Sequence, residues 1–270
     1  MRSGTRRNLW MKGGWRRMAA KDFGPIASDY AFFSAHCTEA VNDAAQYARE
    51  LAGFERRETF RMLDFGCGTG EFSERLLSAL NWPPPSLDLT LAEPVRAQRA
   101  EAVRRLARFS EREIATVETP LAQVEPRFDA VVSNHVLYYA EDLDATLAQL
   151  VGSLAPGGRL LLAIAGWDNP LAWLWKAGFA ILDRPVPYHL SEDVEAGLRQ
   201  SGATFRKTQV PYRLRFPDST ENRMKILRFL FSEYLEEISA PRLLDEFDRH
   251  AAGNHIDILT QSDHFSVAGE

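Results

Sequence analysis

The sequence predicts an α/β protein whose parallel sheet has helices on both faces. From Phe60 onward, short apolar runs with strand character alternate with helical patterns, which is the order expected of such a sheet. The first run leads directly into the glycine-rich loop Gly66-Cys-Gly-Thr-Gly70, and a helical pattern starts at the next residue. Later, apolar and polar residues alternate over Val210–Phe216, which indicates a further strand, and Pro211 places that strand at a sheet edge.

Composition and charge limit the class of protein. The chain has 270 residues, of which 45% are hydrophobic and 26% charged, and these values are typical of a globular protein. A net charge of −5 argues against a dominant nucleic-acid-binding surface. The two cysteines, Cys37 and Cys67, argue against a disulfide framework, and no apolar run reaches the roughly 18 residues of a transmembrane helix. We therefore expect a cytoplasmic protein that binds neither nucleic acid nor membranes.

Four apolar runs form the first half of the predicted sheet. Each is bounded by glycine, proline or polar residues, as strands commonly are. They are Phe60–Phe65, Leu87–Ala92, Glu113–Glu118 and Phe128–Ser133. One helix is expected over Glu71–Leu80, and another from Pro94, which suits the first position of a helix, to about Phe109. Ahead of the sheet, the Ala- and aromatic-rich segment Asp29–Ala52 predicts one or two helices.

A second group of elements follows the fourth strand. One helical face is apolar and ends before Pro156-Gly157-Gly158. Its residues are Leu143, Leu147, Leu150, Val151 and Leu154. Arg159–Ala165 is then expected as a strand, since buried parallel strands are apolar throughout. A further helix is expected from Ser191, as its N-cap, to Ser201-Gly202.

The last third of the sequence predicts a cap. Two helices, Asn222–Glu237 and Pro241–His250, stand between the edge strand and a last short strand at His264–Ala268. Because they are inserted between two strands of the sheet, we expect them to cover its carboxyl edge.

The glycine loop and the acids near it predict a cofactor site. Glycines let the backbone turn sharply and approach a ligand closely, and the start of the next helix offers free amide donors. The G-x-G-x-G spacing is one residue shorter than that of dinucleotide folds, which disfavours a nicotinamide-dependent oxidoreductase. Asp64, two residues before the first glycine, suits a cationic amino group, and Glu93, directly after the second strand, suits the hydroxyls of a ribose.

Four stretches give the sequence a resemblance to the class I S-adenosylmethionine-dependent methyltransferases. They are LDFGCGTG, LAEP after the second strand, FDAVVSNHVLYY at the fourth and LAPGGRLLL before the fifth. The resemblance implies S-adenosylmethionine as cofactor and a Rossmann-like sheet of seven strands with the seventh antiparallel. It implies cofactor-binding residues at Asp64, Gly66, Gly68, Gly70, Glu93, Pro94, Glu118, Thr119 and Asn134. Of these, Glu118 and Thr119 would lie by the adenine.

Within that class the sequence is similar in pattern to the histamine N-methyltransferases. The stretches concerned are His36-Cys-Thr-Glu39, AEP, Glu118-Thr119, Leu137-Tyr-Tyr139 with Ala145-Thr-Leu147, and Gly166-Trp-Asp168 with Leu174-Trp-Lys176. The resemblance implies substrate contacts at Glu39 and His135, where His135 stands in place of an amide of the family. The other expected substrate-binding residues are Tyr30, Tyr139, Trp167, Trp175 and Gln261, the last in place of an Asn.

His135, Glu39 and Tyr138 are the candidate catalytic residues. The ligand crevice of an open α/β sheet lies at the carboxyl ends of its strands, where His135 stands. The unperturbed pKa of histidine, about 6.5, allows proton exchange near neutrality. Tyr138 would form a wall for the methyl acceptor and attract a cation through its ring. No spacing of His, Cys or carboxylate residues predicts a metal site.

The expected reaction is direct in-line methyl transfer to a small molecule, at an amine or imidazole nitrogen. Positioning dominates such a reaction, and Glu39 or His135 would assist removal of the acceptor's proton. Two alternatives stay open at this point. One is O-methylation of a phenol or carboxylate with His135 as base, and the other is a regulator of the same fold that binds the cofactor without turnover.

The expected organisation has four parts. The first 21 residues contain seven basic and no acidic residues, so residues 1–24 are expected to form a basic, disordered tail, with a transit peptide or a basic binding arm as alternatives. Residues 25–58 would form an N-terminal helical cap and residues 59–166 the core that binds S-adenosylmethionine. Residues 167–270 would complete the sheet and contain the substrate-binding cap insertion at about 217–260.

Overall fold

One mixed sheet organises the chain in a computed structural model that describes residues 24–52, 54, 59–118, 127–238 and 240–269. The strands are β1 (Phe60–Phe65), β2 (Leu87–Ala92), β3 (Ala115–Val117), β4 (Phe128–Asn134), β5 (Leu154–Ile164), β6 (Phe205–Pro217), β7 (Ala251–Ala252) and β8 (His255–Ala268). Their order in space is β3-β2-β1-β4-β5-β8-β6, and the short β7 pairs with β8. The expected α/β class is confirmed. Residues 1–23 of the basic tail expected at the N-terminus lie outside the described residues.

The helices connect and cover these strands. They are α1 (Ala27–His36), α2 (Glu39–Ala52), α3 (Glu71–Leu80), α4 (Arg96–Leu106), α5 (Leu143–Gly152), α6 (Pro170–Ile181), α7 (Ser191–Gln200), α8 (Thr220–Phe231) and α9 (Ala240–Leu244). The segment Asp29–Ala52 contains two helices because Cys37 is extended and forms an isolated bridge with Leu214. None of the helices in the described ranges is long and apolar enough to cross a membrane.

Alternate residues of the central strands face two separate apolar layers. On one side Leu63, Val131 and Leu162 pack with residues of α5, α7 and α8. On the other side Met62 and Val132 pack with residues of α2, α3 and α4. Because successive side chains of a strand point to opposite faces, each strand contributes to both layers. The prediction of helices on both faces is therefore confirmed.

The antiparallel end of the sheet is longer than the sequence predicted. β8 runs antiparallel to β5 and along the whole of β6, from the pair Phe205–Val267 to the pair Pro217–His255. The expected strand at His264–Ala268 is only the last five of its 14 residues, and the earlier residues, in which Ile256 and Ile258 alternate with polar ones, pair with β6 as well. β6 forms the sheet edge, as Pro211 predicted. The eighth strand, β7, adds two residues to the expected seven-stranded arrangement.

Several boundaries differ from the expected ones for local reasons. Pro94 does not begin a helix: Glu93 accepts a hydrogen bond from the Val95 amide, which holds a turn, and α4 begins at Arg96. The N-cap of α7 is Leu190 rather than Ser191, and its amide donates to the Asp193 carboxylate. Further differences are a shorter β3, an earlier start of β5, the unpredicted helix α6, and the two inserted helices, which end at Phe231 and Leu244 rather than at Glu237 and His250.

Helices from both ends of the chain meet above the carboxyl edge of the sheet. α1 packs against α8, where the Phe33 and Phe229 rings stack at 4.4 Å and Arg228 forms an ion pair with Asp29 at 3.0 Å. α8 and α9 lie in the connection between β6 and β8, as the inserted helices of the predicted cap were expected to do. The division of the chain into cap and core units stays a prediction.

Candidate functional site

The glycine loop turns the chain from β1 into α3. Gly66, Gly68 and Gly70 have φ angles of 78°, 52° and 81°, in the left-handed region that favours glycine. At Gly66 a Cβ atom would also lie 2.4 Å from both Cγ atoms of Val136. The Gly66 amide donates to the Ala92 carbonyl at 2.8 Å, which ties the loop to the end of β2. The loop is therefore a tight backbone surface at the carboxyl edge of the sheet.

Two carboxyl groups converge on this loop. Asp64 in β1 is buried and accepts a hydrogen bond from the Ser73 hydroxyl of α3. Burial raises the pKa of Asp64 to about 7, although the Ser73 hydrogen bond opposes the rise. Glu93, after β2, is also buried and accepts hydrogen bonds from the amides of Gly68 at 3.1 Å and Val95 at 2.9 Å. An acid suited to a cation and an acid suited to hydroxyl groups thus flank one loop.

The structure places the other cofactor-binding candidates in different positions. Asn134 ends β4, and its buried amide oxygen has no hydrogen-bond partner among the described residues. Pro94 is exposed, and so is Glu118, whose carboxylate pairs with Arg99 at 3.0 Å. Thr119 lies outside the described residues. The structure therefore brings Asn134 to the strand end beside the loop and leaves Pro94 and Glu118 in exposed positions.

His135 is the centre of a second polar cluster, one residue beyond β4. Its φ angle is +56°, and its amide donates to the Ala163 carbonyl at 2.8 Å, so the backbone is held in an unusual turn. Nδ1 lies 2.8 Å from the Tyr138 hydroxyl, and Nε2 lies 3.0 Å from Oδ2 of Asp43. The Glu39 carboxylate is 3.6 Å from Nε2. The three predicted catalytic residues therefore lie together, and both ring nitrogens of His135 are occupied.

The charges of this cluster depend on one another. Burial alone would lower the pKa of His135, but the carboxylates of Glu39 and Asp43 raise it to about 9. Burial raises the pKa of Glu39, although His135 and a hydrogen bond from Tyr212 oppose the rise. At neutral pH His135 is therefore an imidazolium ion between two carboxyl groups.

Aromatic side chains form the wall on the other side of His135. The Tyr138 hydroxyl accepts a hydrogen bond from the Ala165 amide at 2.8 Å, which joins the ends of β4 and β5. Tyr139 packs edge-on against Tyr138 at 5.8 Å. Trp175 packs at 5.3 Å from Tyr138, but it is buried and its indole donates to the Leu230 carbonyl. Trp175 therefore supports the aromatic wall from behind.

The structure places the remaining substrate-binding candidates, Tyr30, Trp167 and Gln261, in different surroundings. Tyr30 in α1 is exposed and packs on Phe229 at 5.7 Å. Trp167 is also exposed, and its backbone amide donates to Glu192 at 2.9 Å. The Gln261 amide donates to Asp168 at 2.6 Å. Trp167 and Gln261 therefore make these contacts outside the His135 cluster, whereas Tyr30 lies close enough to Glu39 that, after burial and the Glu71 charge, the Glu39 charge helps to raise its pKa.

Strand alternation in β8 explains the position of Gln261. Ser262 and His264 point toward α2, where they meet Asp43 at 3.5 and 2.8 Å. Gln261 and Asp263 point to the opposite face, since successive residues of a strand alternate. The residue of β8 that reaches the His135 cluster is therefore Ser262, whose hydroxyl lies 3.3 Å from Nε2 of His135, and the substrate contact expected at Gln261 stays a prediction.

Sequence reasoning missed Asp43, Ser262 and His264. Each is buried, and Asp43 has no exposed side-chain surface. Nothing in the local pattern of a helix or strand distinguishes these residues from surface polar residues. A four-residue spacing from Glu39, which places Asp43 on the same face of α2, was the one available signal.

Comparison with known proteins agrees with this geometry. Residues 63–160 match the family described as Methyltransferase domain. A malonyl-[acyl-carrier protein] O-methyltransferase from Paenibacillus sp. is 31% identical over 114 residues, which cover 39% of this chain and 39% of that protein. Histamine N-methyltransferase B from Xenopus laevis is 26% identical over 165 residues, which cover 55% of this chain and 56% of that protein. The chain thus spans about half, or less, of the length of these relatives.

The fold has a counterpart among solved structures. The YcgJ protein from Bacillus subtilis aligns with a TM-score of 0.55 at 13% identity, over 84% of this chain and 98% of that one. At this identity the likeness concerns the fold. Together with the domain match, the strand order and the glycine loop with Glu93 after β2, it confirms the resemblance seen in the sequence. The chain thus contains a methyltransferase domain at residues 63–160, in a fold like that of the class I S-adenosylmethionine-dependent methyltransferases.

Proposed function

We propose that this protein transfers a methyl group from S-adenosylmethionine to an amine or imidazole nitrogen of a small molecule. The observation that carries the proposal is the pair of carboxylates, Glu39 and Asp43, that face His135 next to the glycine loop. Carboxylates attract a cationic acceptor, and Glu39, the one of the two with exposed surface, can take up the proton that an attacking nitrogen loses. Family membership supports the cofactor, and this cluster supports the acceptor class.

The residues around the loop fit the chemical groups of S-adenosylmethionine. Asp64 would accept hydrogen bonds from its amino group, and the positive charge would favour the ionised form of this buried acid. The amides at the start of α3 would hold its carboxylate. Glu93 would accept hydrogen bonds from the ribose hydroxyls, and the oxygen of Asn134, which has no hydrogen-bond partner within the described ranges, offers a further acceptor. When bound, the cofactor supplies an electrophilic methyl carbon on a positively charged sulfur.

Glu39 is the best-placed group to hold the acceptor. About one seventh of its side chain is exposed, at 15%, whereas that of Asp43 is fully buried. Because burial raises the pKa of Glu39, its carboxylate takes up a proton more readily than an exposed glutamate does. His135 has hydrogen bonds at both ring nitrogens, so Glu39 would receive the proton. Tyr138 and Tyr139 would form the wall that orients the acceptor.

O-methylation is the second candidate, favoured by the similarity to the malonyl-[acyl-carrier protein] O-methyltransferase. A phenolate or carboxylate acceptor would bring another negative charge toward Glu39 and Asp43. His135 is also unsuited as the base, since an imidazolium with both nitrogens engaged has no free lone pair. These features favour a nitrogen acceptor.

Calorimetric titration with S-adenosylmethionine and S-adenosylhomocysteine tests the cofactor. We expect Glu93→Ala to weaken binding by about tenfold or more, which corresponds to about 1.4 kcal/mol, because the acceptor of the ribose hydroxyls is lost. Asp88→Ala, which removes an acid near the amino end of β2, is the matched control and should bind as the wild type does. A wild-type protein that binds neither compound would contradict the proposal.

A panel of amines, imidazoles, phenols and carboxylic acids, with mass detection of methylated products, tests the acceptor class. We expect methylation among the amines or imidazoles. Products confined to phenols or carboxylic acids would overturn the nitrogen assignment. Cofactor binding without any methylated product would instead favour a regulator of the same fold.

A further inference from the structure

Asp43 lies at the centre of a buried polar network under the carboxyl edge of the sheet. Its Oδ2 is 3.0 Å from Nε2 of His135, and its Oδ1 is 2.8 Å from Nε2 of His264. A buried carboxylate costs several kcal/mol unless it is paired. Although burial opposes it, the hydrogen bonds from the two histidines hold the pKa of Asp43 below its usual value. Asp43 is therefore an ionised group without access to solvent or substrate.

A carboxylate is the side chain that fits between these histidines. Both Nε2 atoms must carry a hydrogen to bond it, so two donors face Asp43. An Asn would accept from one ring and turn its own NH₂ group toward the other. With Nε2 fixed in this way, Nδ1 of His135 points at the Tyr138 hydroxyl. Asp43 thus determines the orientation of the His135 ring.

The charge of His135 depends on groups from three elements. Glu39 and Asp43 face it from α2, Tyr138 from its own turn and Ser262 from β8, and His264 of β8 bonds the other oxygen of Asp43. Asp43 is the nearest carboxylate, at 3.0 Å against 3.6 Å for Glu39. Loss of its negative charge would favour neutral His135. Glu39 would then lose the cation that favours the ionised form of its carboxylate and opposes the effect of burial on its pKa.

We propose that Asp43 is a positioning residue for methyl transfer, which holds His135 as a fixed imidazolium so that the Glu39 carboxylate stays ionised and receives the acceptor's proton. The inference rests on the proposed function. In the proton transfer, a nitrogen–hydrogen bond of the acceptor breaks, its electron pair stays on nitrogen, and the proton bonds to a Glu39 oxygen. No proton leaves His135 or Asp43. Asp43 acts through its neighbour and does not touch the acceptor.

Asp43→Asn tests this role, with Asp129→Asn as the matched control. Asp129, like Asp43, is a buried aspartate. It accepts a hydrogen bond from the Arg61 backbone amide and lies near the amino end of β4, away from His135. In the complex with S-adenosylhomocysteine, we expect the titration midpoint of His135, followed by ¹⁵N NMR, to fall by about one pH unit or more in Asp43→Asn. The kcat for the acceptor should fall by about tenfold or more. Asp43→Asn should bind S-adenosylhomocysteine as the wild type does. Asp129→Asn should keep the wild-type titration midpoint of His135 and the wild-type kcat.

The outcomes separate this inference from the proposed function. A wild-type protein without methyl transfer would contradict the proposed function and the inference with it. An active wild type whose Asp43→Asn variant keeps both its His135 midpoint and its kcat would overturn the positioning role alone. If Asp43→Asn does not fold, the ¹⁵N shifts of wild-type His135 near pH 7.5 decide: two protonated ring nitrogens are expected, and a neutral ring would overturn the inference.

Discussion

Gly66 is the residue where backbone conformation and close packing act together. Alanine there would adopt a φ of +78° and place its methyl group 2.4 Å from Val136. We expect Gly66→Ala to lower the free energy of unfolding by about 2–4 kcal/mol, from backbone strain and overpacking, and to abolish cofactor binding. Gly157→Ala is the control, since Gly157 has a φ of +72° with no atom within 4 Å of the added carbon. Denaturant unfolding should show a loss of only about 1–2 kcal/mol there; equal losses would mean that the Val136 contact is unimportant.

The titration of two buried residues predicts how stability depends on pH. The pKa of Asp64 is raised to about 7, so its stabilising contribution is complete below pH 4 and is lost as pH rises through 7. The pKa of His135 is raised to about 9, because nearby carboxylates outweigh burial, so its contribution is complete below about pH 6.5 and is lost as pH rises through 9. Stability of the wild type should therefore fall from about pH 4 to 7 through Asp64 and from about pH 6.5 to 9 through His135.

Unfolding measured across that range identifies the responsible residue. His135→Gln should remove the fall between pH 7 and 9 and leave the fall between pH 4 and 7, which Asp64 produces. Asp64→Asn should do the reverse. A His135→Gln variant that retains the whole alkaline fall would show that His135 is not an imidazolium in the folded protein.

At the scale of single elements, the ends of a strand or helix were predictable where glycine or proline residues stand close to them. β1, β2 and α3 begin and end where the sequence predicts, because glycines or prolines bound each of them. The first half of β8 mixes the buried Ile256 and Ile258 with polar residues, and its pairing with β6, which lies far away in the sequence, was not predicted. The glycine loop and Glu93 were predictable since both stand directly after apolar strands. Asp43 was not, because its partner His135 is 92 positions away along the chain.

The contact of α1 with α8 gives a prediction at this scale. Asp29 is buried and pairs with Arg228 at 3.0 Å, so Asp29→Ala would leave a partly buried cation without its main partner. We expect a loss of about 1–3 kcal/mol and faster amide exchange in Ala27–His36. Exchange in β1 should not change.

A surface ion pair provides the comparison for this variant. Glu246 pairs with Arg249 one helical turn away, and more than half of the Arg249 side chain is exposed. Glu246→Ala should cost about 0–1 kcal/mol and leave the exchange of α1 unaltered. Slower or unaltered exchange of α1 in Asp29→Ala would contradict the role of the pair in holding α1 on α8.

At the scale of the whole molecule, the candidate site joins segments from both ends of the chain. Glu39 and Asp43 come from α2, ahead of the sheet, and Ser262 and His264 from its last strand. The Tyr47 hydroxyl holds α2 to the strand end through the Ser133 carbonyl at 3.0 Å. The sheet places the glycine loop and Glu93 beside this cluster. The site thus has a cofactor side, formed by the glycine loop and Glu93, and an α2 side, formed by the cluster around Asp43. Family resemblance predicts the cofactor side, whereas the α2 side depends on contacts that form only after folding.

These two sides should be separable by mutation. Glu39→Gln removes the carboxylate that would receive the acceptor's proton and leaves the residues of the loop intact. We expect methylation of the acceptor to slow by about 100-fold or more, since a positioned acid or base contributes 10²–10⁴-fold, while calorimetric affinity for S-adenosylhomocysteine stays within about twofold. Glu93→Ala should weaken cofactor binding first. If Glu39→Gln instead weakened cofactor binding and left turnover at saturating cofactor unchanged, Glu39 would belong to the cofactor side, and the assignment of the acceptor to the α2 side would be wrong.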